Sequence, residues 1–311
     1  MRYRVLRRTS FVLAALYLAG TLFGGIGLGW MALHPGHRPL TAKDEYRAEA
    51  AAQDESAVLS SVQIVTPDGI ILRAWLIRPA QTNGSDVILL HGVSDNRLGM
   101  YGYGDWLAKN HYNVLLPDAR AHGLSGGELA TYGLKESDDI RQWVNWLEED
   151  NHPRCVFGLG ESMGAAQLLE SLATQPRLCA GVAESPFATF REVAYARFGR
   201  PFHVGPWIGR TFFRPTVDVG FLYVRLRYGL NMETASPEQS VIGTHVPVLL
   251  IHGLSDRNIP PYHSDRIQAQ NPEDIALWRV PGAIHTGAHA VAPQEFEHRV
   301  LEWFSTHSLK N

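Results

Sequence analysis

Short apolar runs and helical stripes take turns along most of this chain. Val87–Leu90, Asn113–Leu116, Cys155–Leu159, Leu178–Ala183, Val246–Ile251 and Ala276–Val280 are brief and almost wholly apolar, the pattern of strands buried on both faces. Between them, Leu98–Asn110, Lys135–Glu149, Tyr262–Gln270 and Gln294–Phe304 carry apolar residues at helical spacing. In the second of these, Ile140, Val144 and Leu147 fall on one stripe. Ahead of the first run, Ser61–Thr66 and Ile70–Ile77 flank Pro67, Asp68 and Gly69, a turn signal that predicts a hairpin. Strand and helix in alternation demand a mostly parallel sheet with helices on both faces, an α/β fold.

Two stretches break the rhythm. Phe11–Leu33 has no charged residue over 23 positions and follows Arg2, Arg4, Arg7 and Arg8. As a helix it spans roughly 34 Å, enough for a bilayer core of ~30 Å. A cleaved signal peptide has a shorter apolar region, about 7–15 residues, and a small-x-small cleavage site, which is not evident before Met31. The expected layout is a basic tail at 1–10, a transmembrane anchor at 11–33, a polar linker or short helix at 34–57 and a globular domain at 58–311. The four arginines before the anchor outnumber Arg38, Lys43 and Arg47 behind it, which favours a cytoplasmic N-terminus and an extracytoplasmic main domain. Gly20, Gly24, Gly25 and Gly29 are spaced for close helix contact, although glycine is common in spanning helices anyway.

The second departure, 187–241, interleaves aromatic residues from Phe190 to Tyr228, Phe202 among them, with seven arginines from Arg191 to Arg227, Arg200 among them. Both ends join predicted core strands, so it reads as an insertion serving as a lid and not as a separate domain. An aromatic satellite core with solvated arginines is the plainer reading, and the two are compatible.

Composition narrows the classes. Hydrophobic residues at 45% and charged residues at 19% of 311 allow a sizeable core. A net charge of −3, with no Lys/Arg run in the body, gives no reason to expect a nucleic-acid partner. Cys155 and Cys179 fall in predicted core strands and read as buried inert thiols, with a disulfide as the rival reading. None of the 14 histidines joins a Cys or carboxylate at metal-ligand spacing, so no metal is expected.

The candidate chemistry lies at Gly160-Glu161-Ser162-Met163-Gly164, which fits G-x-S-x-G between an apolar run and a helical one. Such an elbow displays a strained Ser at the C-terminal edge of the sheet, and its glycines let strand and helix approach without a Cβ clash. A Ser hydroxyl is a weak nucleophile until an imidazole takes its proton and a carboxylate orients that imidazole. Asp256 lies just beyond the run ending at Ile251, and His285 just beyond the run ending at Val280. Both therefore fall on the edge that displays Ser162. Glu184 is an alternative acid and His289 an alternative base. His91 and His252 read as loop-packing residues, and His263 and His298 as surface or structural ones.

These motifs resemble the alpha/beta-hydrolase superfamily, especially membrane-anchored abhydrolase-type serine hydrolases and the related serine aminopeptidase-like domain. The resemblance runs from about Val62 to the C-terminus. It implies an eight-stranded, mostly parallel sheet and the chain order Ser, acid, His, making Ser162 the nucleophile, Asp256 the acid and His285 the general base. Asp95, in a near-copy of the loop around Asp256, precedes Ser162 and so falls outside that order. The resemblance further implies an oxyanion hole from the backbone N–H groups of Val93 and Met163. It gives Asp118 and Arg120 the bracing of turns after the fourth strand. The implied activity is hydrolysis of an ester, thioester or amide through an acyl-enzyme, without a cofactor, on a small-molecule or lipid-like acyl substrate. Acyl transfer by the same residues and a non-catalytic membrane-tethered binding module are the rival readings.

Overall fold

The computed structural model describes residues 2–54, 56–199 and 206–308. The chain opens with α1 (Arg2–Leu33) and α2 (Ala42–Asp54), followed by the hairpin β1 (Ala57–Val65) and β2 (Ile71–Pro79). Then come β3 (Ser85–Leu90), α3 (Tyr101–Lys109), β4 (Asn113–Pro117), α4 (Glu136–Asn151), β5 (Cys155–Glu161), α5 (Met163–Ser171) and β6 (Leu178–Glu184). The insertion holds α6 (Phe190–Gly199), α7 (Trp207–Arg210), α8 (Arg214–Tyr228) and α9 (Pro237–Ser240). The chain closes with β7 (Val248–Gly253), α10 (Tyr262–Gln270), β8 (Ile275–Val280), α11 (Ala288–Val291) and α12 (Pro293–Thr306). Expectations that touch Arg200 and Phe202 lie outside the described residues. Two compact units result, 1–34 with 190–234, and 35–189 with 235–311.

The larger unit is built on one eight-stranded sheet in the order β1-β2-β4-β3-β5-β6-β7-β8. The β1–β2 and β2–β4 pairs are antiparallel, and every later pair is parallel. Alternate residues of each strand serve opposite layers. Val87, Leu89, Phe157 and Leu159 pack with Phe296, Val300 and Phe304 of α12 and with Leu107 of α3. Ile88, Leu90 and Val156 pack instead with Trp143 and Leu147 of α4 and Leu168 of α5. Two apolar layers on one sheet are why the central runs show no polar alternation. The 34–57 segment is docked, since Ala48 and Ala52 of α2 are buried and Ala48 O accepts the Tyr101 hydroxyl hydrogen at 3.0 Å.

Three expectations change in detail. The helix expected from Leu98 opens as a 3₁₀ turn, Arg97–Met100, capped by the Asn96 side chain on the Leu98 N–H. The strand expected from Val246 begins at Val248, because Pro247 has no N–H for the ladder. Most substantively, Cys155 and Cys179 are joined by a disulfide, with Cα atoms 5.7 Å apart, and are not free thiols. The two residues sit at the starts of β5 and β6, and it is the pairing of those strands that brings them together.

In the smaller unit α1 continues helical through its basic N-terminal residues to Leu33, and its stretch Leu6–Leu33 is long and apolar enough to cross a membrane. Ala194 and Tyr195 of α6 and Val217 of α8 form a small core with Leu28, Phe198 and Phe221.

Candidate active site

Ser162 stands at the β5–α5 junction with φ 51° and ψ −108°, a conformation that a non-glycine residue adopts only under strain. Two glycines make the bend possible. A Cβ on Gly160 would lie 2.5 Å from the Gly164 carbonyl, and one on Gly164 would lie 2.2 Å from Leu90 O. The Ser162 N–H donates to Glu184 O on β6 at 2.8 Å, fixing the bend to the neighbouring strand.

Asp256 follows β7 and His285 follows β8, on the same sheet edge as Ser162. His285 Nε2 lies 2.8 Å from Ser162 Oγ, and His285 Nδ1 lies 2.7 Å from Asp256 Oδ2. Asp256 Oδ1 accepts the N–H groups of Asn258 and Ile259 at 2.7 and 2.9 Å. Burial alone would raise the Asp256 carboxyl, but hydrogen bonds to His252 and His285, the His285 charge and the Ile259 N–H outweigh it and hold the carboxyl well below its usual range. An ionised Asp256 only accepts, so Nδ1 of His285 carries the hydrogen. Nε2 of the neutral ring is then free to accept from the Ser162 hydroxyl.

The loop after β3 abuts this group, since a Cβ on Gly92 would meet the Ser162 Cβ at 3.7 Å. Val93 follows on that loop, while Met163 is the first residue of α5. Two buried histidines brace the loop. His91 Nε2 accepts the Ala119 N–H at 3.0 Å, and His122 Nε2 accepts the Ser94 N–H at 3.3 Å. Burial pushes both imidazoles down, His122 to about 4, which suits the neutral, accepting form. Asp118 is buried against Arg97, and Arg120 against Asp139.

The other candidates lie apart from the Ser162 hydroxyl. His289 Nε2 pairs with Glu297 at 3.1 Å, and Asp95 with Arg38 at 3.4 Å. His263 is buried and its Nδ1 accepts the Ala188 N–H, whereas His298 is exposed beside Glu302. Glu184 points its carboxyl into the layer beneath the histidine loop, where Oε1 accepts the Ala288 N–H at 2.9 Å. The next residue, Ser185, accepts the Thr286 N–H through its hydroxyl at 3.3 Å. One strand end thus holds both the Ser162 bend and the loop that carries His285.

Sequence reasoning named Glu184 only as an alternative acid and missed its pairing with Glu161 beside this group. Glu161 and Glu184 are register partners across β5 and β6, and the Tyr103 hydroxyl donates to Glu161. Burial pushes Glu161 up to about 7, against the Tyr103 hydrogen bond. Burial and the facing Glu161 push Glu184 up to about 8. The signal in the sequence is the acid at the variable position of Gly160-Glu161-Ser162. Among the described residues no group of three or more His, Cys, Asp and Glu is placed to hold a metal ion.

Comparison with known proteins adds the following. A family model described as "Alpha/beta hydrolase family" matches residues 87–299. The uncharacterized protein YqkD of Bacillus subtilis is 28% identical over 233 residues, covering 74% of this chain and 72% of its own. The uncharacterized protein YfhR of Escherichia coli K12 is 26% identical over 238 residues, covering 73% of this chain and 74% of its own. Among solved structures, the Pyrococcus furiosus esterase Pf2001 superposes with a TM-score of 0.70 at 26% identity, covering 89% of this chain and 99% of its own.

Proposed function

The chain belongs to the alpha/beta hydrolase family, and from that premise we propose that it is a membrane-anchored serine hydrolase cleaving a carboxylic ester, thioester or amide. Similarity to a solved esterase supports hydrolase activity. The observation that carries the finer reading is the unbroken chain from Ser162 Oγ through His285 to Asp256, at 2.8 and 2.7 Å.

In this mechanism His285 Nε2 takes the Ser162 proton as Oγ attacks the substrate carbonyl. Asp256 stabilises the imidazolium and holds its orientation. The N–H groups of Val93 and Met163 stabilise the oxyanion, a role in which each donor contributes about 3 kcal/mol. His285 then protonates the leaving group, and water activated by the same imidazole cleaves the acyl-enzyme. An apolar or lipid-derived acyl group suits an enzyme held at a bilayer. The anchor is the apolar stretch of α1, with the catalytic domain on the extracytoplasmic side. The Cys155–Cys179 bridge supports that orientation, because disulfides persist in oxidising compartments.

Turnover of p-nitrophenyl acyl esters tests the assignment. His285→Ala is expected to lower kcat/KM by ~10³-fold or more, while His289→Ala largely keeps it. The opposite pattern transfers the base to His289, and loss of neither dismisses both.

A further inference from the structure

Helix α8 of the insertion and the apolar helix α1 run parallel and in step. The Tyr17 hydroxyl donates to Phe212 O at 2.8 Å, and His34 lies 5.9 Å from the Tyr228 ring. Between these points two glycines of α1 meet α8. A Cβ on Gly25 would lie 2.6 Å from Thr216 O, and one on Gly29 would lie 2.8 Å from Gly220 O, whereas at Gly20 and Gly27 it would meet open space. Missing side chains at 25 and 29 are what let the two backbones touch. Against α8, α6 returns antiparallel, with Phe198 stacked on Phe213 and Phe190 beside Phe221, and Leu28 of α1 joins their shared core.

The height of each residue along α1 then becomes informative. From Arg8 to Trp30 is roughly 33 Å of helix, against a bilayer core of ~30 Å. Level with Trp30, which stacks on His34, stand Tyr223, Tyr228, Arg225 and Arg227, the aromatic and basic side chains of a membrane–water boundary. Phe212, level with Tyr17, lies roughly 20 Å deeper. Outward-facing residues of the hairpin at these depths include Trp207, Phe212 and Leu222, all exposed, continuing the exposed Leu18, Leu22 and Phe23 of α1. Most of the charges here are partnered: Arg191 bonds Asp218 and Glu233, Arg210 bonds Glu192, and Arg214 lies 3.8 Å from Asp218, whereas Arg197 is exposed. Pairing is the form in which intramembrane charge is tolerated.

We propose that the α6–α8 hairpin is a re-entrant membrane element, inserted beside α1 from the side of the C-terminal end of that helix and reaching past the bilayer midplane. Its partner is the lipid bilayer: acyl chains cover Trp207, Phe212 and Leu222, and anionic headgroups meet Arg225 and Arg227. This rests on the reading of α1 as a membrane span. Anchor and insertion then form one membrane module, and the insertion does not swing freely in water.

The test uses the full-length protein in phosphatidylcholine–phosphatidylglycerol vesicles with brominated acyl chains. A bimane label is placed in turn at Leu18→Cys, Phe212→Cys, Leu222→Cys and Val58→Cys, an exposed position of β1. The native cysteines are bridged and take no label. Bromolipid is expected to quench the labels at 18, 212 and 222 and to spare the one at 58. Quenching at 18 but not at 212 and 222 overturns the hairpin and leaves the anchor standing; no quenching at 18 overturns both. Adding Gly25→Leu is expected to reduce quenching at 222 by about twofold or more while sparing 18, and Gly27→Leu to change neither. Equal effects of the two glycine variants contradict the packing.

Discussion

Glu184 shows how a residue outside the Ser162–His285–Asp256 chain bears on it. Its carboxyl faces Glu161, Tyr103 and Asp256 and accepts the Ala288 N–H, three residues beyond His285. Both glutamates have raised values, so the stability they confer is fully present below the ordinary value of 4.5. It is lost as pH rises through about 7 for Glu161 and about 8 for Glu184. Asp256, held low, works in the opposite sense and at more acid pH. Glu184→Gln keeps an acceptor for Ala288 and cannot ionise. Its melting temperature is expected to decline less between pH 5 and pH 8.5 than that of the parent, and parallel declines would refute the account. The candidates Ser162, Asp256 and His285 were legible because a motif and strand ends mark each of them. Glu184 was weighed only as an alternative acid, and its pairing with Glu161 escaped because only the β5–β6 register sets them face to face.

Among the elements, the same strand pair explains the largest correction. The buried strands were legible because burial on both faces removes the polar alternation, yet which strands are neighbours is written nowhere in such runs. Cys155 and Cys179 therefore read as separate core thiols, and adjacency of β5 and β6 makes them a bridge. The bridge closes a sequence separation of 24, and its loss is expected to lower stability by roughly 3 kcal/mol. In membranes prepared from cells with free thiols blocked, a maleimide–polyethylene glycol reagent should shift the protein on gels only after reduction. No shift even after reduction would mean that both thiols were free when blocked, place the domain in a reducing compartment and contradict the extracytoplasmic orientation. The α1–α8 contact was half legible: the glycine spacing on α1 stood out, while its partner lay hidden in an insertion with no readable period.

At the scale of the whole molecule, the parallel sheet exists to bring the ends of β5, β7 and β8 to one edge. Three side chains meet there, the outer two 123 residues apart in sequence. Family membership gives the sheet a hydrolase context, and the geometry of that edge supports a covalent serine mechanism within it. The helices covering both faces make the edge rigid, which keeps the strained Ser162 in place for reaction. The most direct measurement is the mass of the peptide containing Ser162 after treatment of the membrane-reconstituted protein with a fluorophosphonate. The account predicts one phosphonyl adduct on Ser162, absent from Ser162→Ala and strongly reduced in His285→Ala. An unmodified Ser162 peptide in the parent protein, or equal labelling of Ser162→Ala, would contradict it.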